Sequence, residues 1–310
     1  MTTAEDGFES YFRINGTYIV KNKIYNINGD ITLLKKVETL PFRFGVVTGN
    51  FWCSENKLTS LEGAPEEVGG NFWCSKNKLT SLIGAPVKVG GFLWCNDNKL
   101  VSLKGAPKEV GGNFWCGYNK LTSLEGAPTK VGGSFWCSRN ELTSLEGAPK
   151  EVGVTFDCSN NKLHSLKGAS VEVGEDFDCS DNKLLSLKGA PKKVEGNFDC
   201  SGNKLISLEC APIEVSEDFW CRDNELTSLK GAPIKVGRDF DCNNNKLISL
   251  EYAPIKVGGN FYCRFNKLTS LKGAPKEVGG GFRCNGNVTL FTIEEIRAIS
   301  KVGKSIYVKW

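Results

Sequence analysis

NFWCSKNKLTSLIGAPVKVGG, residues 71–91, decides the fold of this 310-residue chain, because the chain keeps returning to it. Cysteines stand at 53, 74, 95, 116, 137, 158, 179, 200, 221, 242, 263 and 284, so twelve copies hold one period of 21 residues. Asn56, Asn77 and Asn98 recur at that period through Asn287, as do the equivalents of Leu58, Leu61, Pro65, Val68 and Phe72. Cys210 alone is out of phase, in a slot that neighbouring copies fill with Gly. Self-similarity at a short fixed period is the mark of a solenoid.

Within the unit, F-x-C alternates as a strand does, with Phe and Cys on one face and the slot between them on the other. The G-A-P and G-G clusters are turn signals. Twenty-one residues hold no strand, two turns and a substantial helix together. Each unit is therefore expected to be one coil, a short strand and an extended return, giving a mainly β fold with a single parallel sheet. One coil cannot bury its own Phe, Leu and Val, whereas stacked coils share a continuous core.

Composition excludes little by itself. A net charge of +4 argues for neither nucleic acid nor a membrane surface. No segment reaches the roughly 20 apolar residues of a membrane helix. The opening MTTAEDGFESYF lacks the basic and apolar regions of a signal peptide. Thirteen cysteines suggest a secreted disulfide scaffold, but their spacing points elsewhere. The ladder cysteines face inward with parallel Cβ vectors, and no C-x-x-C pair suits zinc. Buried free thiols in a reducing, cytoplasmic compartment are expected, with disulfides and metal as the alternatives.

The unit resembles the leucine-rich repeat, L-x-x-L-x-L-x-x-N-x-L. Phe72, Cys74, Asn77 and Leu79 take its second, third, Asn and last positions, and Leu82 and Pro86 continue the match. The first Leu is replaced by Val68, one residue early, so the turn into the strand departs from the pattern. The short period is similar to the compact repeats of bacterial effector leucine-rich proteins. It is more similar still to the NKLTSLEGAPKEVGG repeat proteins of large T-even-like bacteriophages. The resemblance implies a right-handed leucine-rich-repeat solenoid of about twelve coils. It also implies an inward Asn ladder bonded to the backbone of the adjacent turn, and a concave sheet that receives ligands. It says little of function, because the fold hosts many partners.

The expected organisation is an N-terminal cap over residues 1–49, a repeat array over 50–290 and a C-terminal cap over 291–310. TYIVKNKIYNINGDITLL, from Thr17, reads as a hairpin, and VETLPFRFGVV, from Val37, as a degenerate repeat. TIEEIRAISKV begins with Thr292 as a helix N-cap and Glu295 three residues on, and SIYVKW reads as a closing strand.

The slot between Phe and Cys does not hold. It reads Trp52, Trp73, Trp94, Trp115 and Trp136, then Asp157, Asp178 and Asp199, then Trp220, Asp241, Tyr262 and Arg283. The slot before the Phe supplies Phe92, Asp176, Asp218 and Asp239, and the position two after the Cys supplies Tyr118 and Asp181. An aromatic zone and an acidic zone are therefore expected on the outward sheet face. Trp is a common interface anchor. A row of Asp at strand spacing costs folding energy through like-charge repulsion, which a basic partner would relieve. Duplication of copies and cross-strand bracing by Trp are competing accounts, and a shared calcium between Asp157, Asp178 and Asp199 is another.

A ridge of Lys follows the Asn ladder, from Lys57 and Lys78 to Lys267, and reads as solvated surface. His164, the only His, replaces a Thr at an exposed slot. No phosphate loop, H-E-x-x-H or G-x-S-x-G occurs, so no catalytic residue, metal site or cofactor is expected. The expected function is a non-enzymatic scaffold binding a protein that carries a basic patch next to an apolar one. The phage resemblance extends this to modulation of a host protein, such as a defence component, in the host cytoplasm. Single-stranded nucleic acid bound by Trp stacking and the Lys ridge is the alternative, as is a structural or virion self-association module.

Overall fold

The computed structural model describes residues 7–169 and 172–308. The fold is a mainly β, parallel-sheet solenoid of about thirteen coils. It divides into two compact units, one ending at Val154 and the other beginning at Thr155.

In the first unit the hairpin forms as its alternation predicts. Strand Phe12–Lys21 runs antiparallel to Ile24–Leu33, in register from Phe12 opposite Leu33 to Lys21 opposite Ile24. Asn22 (φ 52°) and Lys23 (φ 61°) turn it, the left-handed pair of a type I′ hairpin. The second strand pairs in parallel with Arg43–Val47, the degenerate repeat, and with Phe51–Trp52, the first full coil. A short helix, Phe8–Tyr11, was not legible in the sequence. It exists to place Phe8, which is fully buried, 4.0 Å from the Tyr25 ring and edge-on to Phe42 at 5.1 Å.

Each coil carries two strands of two residues, which corrects the expected single sheet. Phe51–Trp52, Phe72–Trp73 and Leu93–Trp94 form one parallel ladder, each residue opposite its equivalent in the next coil. Val46–Val47, Glu67–Val68 and Lys88–Val89 begin a second ladder on the return side. In the second unit Phe156–Asp157 opens the first kind of ladder, and Lys193–Val194 to Lys301–Val302 form the second. The reason is backbone accounting. Both straight stretches of a coil lie beside their copies, and their N–H and C=O groups must be paired.

Side chains repeat with the backbone. Phe, Cys, two Leu and Val of each coil are buried. From Phe156 to Phe261 the phenyl rings stack with centroids 5.3–5.7 Å apart and planes within 17°. The first unit interrupts its ring stack at Leu93. The Asn ladder turns inward as the resemblance implied. Asn77 Nδ2 donates to Cys53 O (2.9 Å) and Cys74 O (3.1 Å), while its Oδ1 accepts from Leu58 N (2.9 Å). The twelve in-phase cysteines are buried, and burial pushes thiols such as Cys53 and Cys179 well above their ordinary pKa. Cys53 Sγ lies 3.3 Å from Trp73 O, so the thiol supplies a weak donor to the next coil.

The second unit closes with helix Ile293–Ile299. Its capping box is the one the sequence announces: Glu295 N donates to Thr292 Oγ1 (3.1 Å) and Thr292 N to Glu295 Oε2 (2.7 Å). Ile296, fully buried, covers the last core layer. Ile306–Tyr307 then adds a strand beside Phe282–Arg283. Lys309 and Trp310 of the expected closing strand lie outside the described residues, as do Met1–Asp6 of the opening segment. Among the described residues no helix is long and apolar enough to cross a membrane.

Candidate protein-binding face

In the first unit the five indoles cover one another, which corrects the expectation of an openly exposed row. Trp52 lies flat on Trp73, centroids 3.9 Å apart and planes 6° apart. Trp73, Trp94, Trp115 and Trp136 then meet edge to face at 5.9–6.2 Å and 79–83°. Coils stack about 4.8 Å apart, so each indole is in contact with its neighbour, flat in the first pair and edge to face in the next three. Trp52 remains 40 % exposed, Trp73 only 9 %, and Trp94, Trp115 and Trp136 are half-buried. Phe92 lies parallel to Trp94 at 6.1 Å. Gly117 stands where other copies have Ser, Asn or Arg, and Trp115 Nε1 comes within 2.8 Å of where a Cβ would sit.

Tyr118 projects beside this layer from a left-handed residue (φ 54°), with the Arg139 guanidinium 5.1 Å from its ring. Almost every coil bends in this way two residues after the Cys: Asp181 has φ 51° and Phe265 φ 53°. Bulky side chains rarely adopt that conformation, and it turns them out of the coil.

In the second unit the acidic residues divide into two sets that the sequence did not separate. Asp157, Asp178, Asp199 and Asp241 each bend back to the backbone two residues on. Ser159 N, Ser180 N, Ser201 N and Asn243 N donate to their Oδ1 atoms at 2.8–2.9 Å. This is an Asx turn, and it explains why the slot accepts Asp as well as Trp. Asp176, Asp218 and Asp239 belong to a second inter-coil ladder. Asn197 N, Asp239 N and Asn260 N donate to them from the next coil at 2.6–2.7 Å. Asn71 and Asn113 do the same for Phe92 N and Ser134 N in the first unit. A slot that cycles through Asn, Asp and Ser was the available signal for this ladder.

The carboxylates therefore carry structural duties, which partly offset the repulsion expected of them. Burial is the larger cost. Asp178, opposite both Asp157 and Asp199, is pushed up to about 7, chiefly by burial and further by those two charges. Burial also raises Asp199 and Asp241, and Asp241 as a residue is almost covered at 8 % exposure. Trp220, half-buried, separates Asp199 from Asp241, and Tyr262 follows. Beside the acidic row lies a cavity of about 550 Å³ lined by Glu175, Asp176, Glu195, Asn197 and Glu217. Among the described residues no group of three or more His, Cys, Asp or Glu is arranged to hold a metal ion.

The Asp178 shift sets a pH dependence. The unfolded chain releases this proton near 3.8, whereas the folded chain keeps it to about 7. Below both values there is no difference. Stability therefore falls as pH rises from about 4 to 7, and the loss is complete above 7. Three pKa units set a ceiling of about 4 kcal/mol. Urea midpoints of wild type and Asp178→Asn are expected to diverge steadily between pH 4.5 and 7.5, the variant being the more stable at the upper end. A difference that stays constant across that range would contradict the shift.

No protein-family model matches this sequence, and no curated protein matches it. Solved structures do. The leucine-rich repeat domain of APL1B is similar over 86 % of this chain and 80 % of its own, at 18 % identity and a TM-score of 0.57. YopM from Yersinia enterocolitica WA-314 is similar over 86 % and 74 %, at 17 % identity and 0.51. YopM from Yersinia pestis, described as a leucine-rich effector protein, is similar over 92 % and 88 %, at 17 % identity and 0.50. The fold is that of a leucine-rich-repeat solenoid. At these identities the likeness is one of fold.

Proposed function

We propose that this chain is a non-enzymatic scaffold that binds a protein through the outward face of its Phe-x-Cys strands. The carrying observation is that the copies hold their core and Asn ladders while the outward slot changes character, aromatic throughout the first unit and, in the second, acidic at Asp157, Asp178, Asp199 and Asp241 before it ends on Tyr262 and Arg283. The first unit would seat apolar groups against Trp52, Tyr118 and the half-covered indoles. The second would receive basic side chains at Asp157, Asp178 and Asp199, where a cation lowers the raised pKa of Asp178 and so stabilises the complex. The fold likeness supports the scaffold reading through architecture alone. The repeat's resemblance to phage proteins supports a cytoplasmic phage product acting on a host protein.

Single-strand binding by base stacking is the weaker reading. Stacking needs open ring faces, and the indoles from Trp73 to Trp136 spend theirs on one another.

The test is recovery of partners from bacterial lysate by wild type, by Trp52→Ala/Trp115→Ala and by Asp157→Asn/Asp178→Asn/Asp199→Asn, each first shown to be folded by circular dichroism. The expected result is a protein retained by wild type and reduced at least tenfold by one or both variants. Equal recovery by all three would refute the proposal.

A further inference from the structure

At the end of the second unit the outward slot turns from acid to base. Tyr262, Arg283 and Tyr307 stand opposite one another in three successive strands. The Arg283 guanidinium lies 5.3 Å from the Tyr262 ring centre and 4.7 Å from that of Tyr307, so it is held between two tyrosines. Arg264, two residues after Tyr262 on the same face, lies 5.9 Å from that ring and 5.8 Å from Phe265. Both Nε atoms are buried without an acceptor. Among the described residues neither guanidinium donates a hydrogen bond or joins an ion pair. By contrast, Arg238 of the same unit is paired with Glu217 at 2.7 Å.

Two guanidiniums stacked on one tyrosine, oriented by aromatic faces and lacking acceptors, form a fork built for an oxyanion. We propose that Arg264 and Arg283 clamp a carboxylate of the protein segment that this face binds; this rests on the scaffold reading above. The surrounding charge selects the occupant. Asp157, Asp178 and Asp199 precede the clamp in the same row of slots, so a polyanion such as a nucleic acid would be repelled along most of its length. A segment with basic residues at one end and an acidic residue at the other matches the row. Asp178 and Arg283 are five coils apart, about 24 Å at strand spacing, or roughly seven extended residues.

Two measurements on the full chain test the clamp. In the first, protein labelled with ¹⁵N-arginine is titrated with acetate and with inorganic phosphate at constant ionic strength. The Arg264 and Arg283 Nε signals are expected to move together and saturate while Arg238 stays still; Arg283→Lys is expected to weaken the Arg264 response about tenfold. Equal movement of all three arginines, which is what ionic screening alone produces, overturns the clamp. In the second, two synthetic ten-residue peptides are compared, both with two lysines at one end and with either two glutamates or two glutamines at the other. Wild type is expected to bind the glutamate peptide about tenfold more tightly, and Arg283→Gln to bind the two equally. If wild type binds both peptides equally, the carboxylate occupant is wrong while the acidic row keeps its role. If the glutamate peptide keeps its preference in Asp178→Asn/Asp199→Asn at undiminished affinity, the clamp stands and the acidic-row reading fails.

Discussion

Replacing Asn182 by Ala is expected to destabilise the second unit by about 3–5 kcal/mol. Asn182 is buried and spends its whole side-chain amide on backbone. Nδ2 donates to Cys158 O (3.1 Å), Cys179 O (3.2 Å) and Ser180 O (3.0 Å), and Oδ1 accepts from Leu163 N (3.0 Å). The shorter side chain leaves these groups in a site that water does not reach, and each orphaned polar group costs about 1–3 kcal/mol. Repeat arrays need not unfold in one step. The measurement should therefore be local as well as global: a fall in urea midpoint together with loss of hydrogen-exchange protection at the Leu163 amide. A variant that keeps Leu163 protected, or loses less than about 1 kcal/mol, would show that the ladder is not what holds the coils in register.

Phe198→Ala should cost a similar amount by a different route. Phe198 is fully buried, its ring 5.7 Å from Phe177 and 5.3 Å from Phe219. Alanine leaves a ring-sized void that stacked coils cannot close without breaking their backbone ladders, and such voids cost about 3–5 kcal/mol. The molecule contains its own control. Leu93 fills this slot in the third copy and is also fully buried. Phe198→Leu should therefore cost less than about 2 kcal/mol, since it keeps most of the volume. Urea unfolding of the two variants side by side checks this. Equal losses from Ala and Leu would mean that ring-on-ring contact, and not filled volume, is what the slot requires.

Much of this architecture was legible in the sequence because it depends on identity and period alone. A 21-residue recurrence of Phe, Cys, Asn, Leu and Val names the inward positions, and Thr292 with Glu295 names a helix start. The return-side ladder was missed because two residues of x-Val are too short to show alternation. The helix at Phe8 was missed because four residues carry no periodicity. The candidate site was legible only as a set of positions. Sequence placed Trp73 and Asp241 on the outward face, and the structure finds both almost covered.

What the sequence determined by itself is therefore which side chains recur on which side of the coil. What those side chains do there is set by packing, and the cause is the spacing between coils. At about 4.8 Å, each outward residue meets its own copies before it meets solvent. Indoles must cover one another, carboxylates must turn to the nearest backbone N–H or share a raised pKa, and an arginine between two tyrosines is held with its donors unspent. None of these outcomes is a property of one residue, and each follows from setting identical slots side by side.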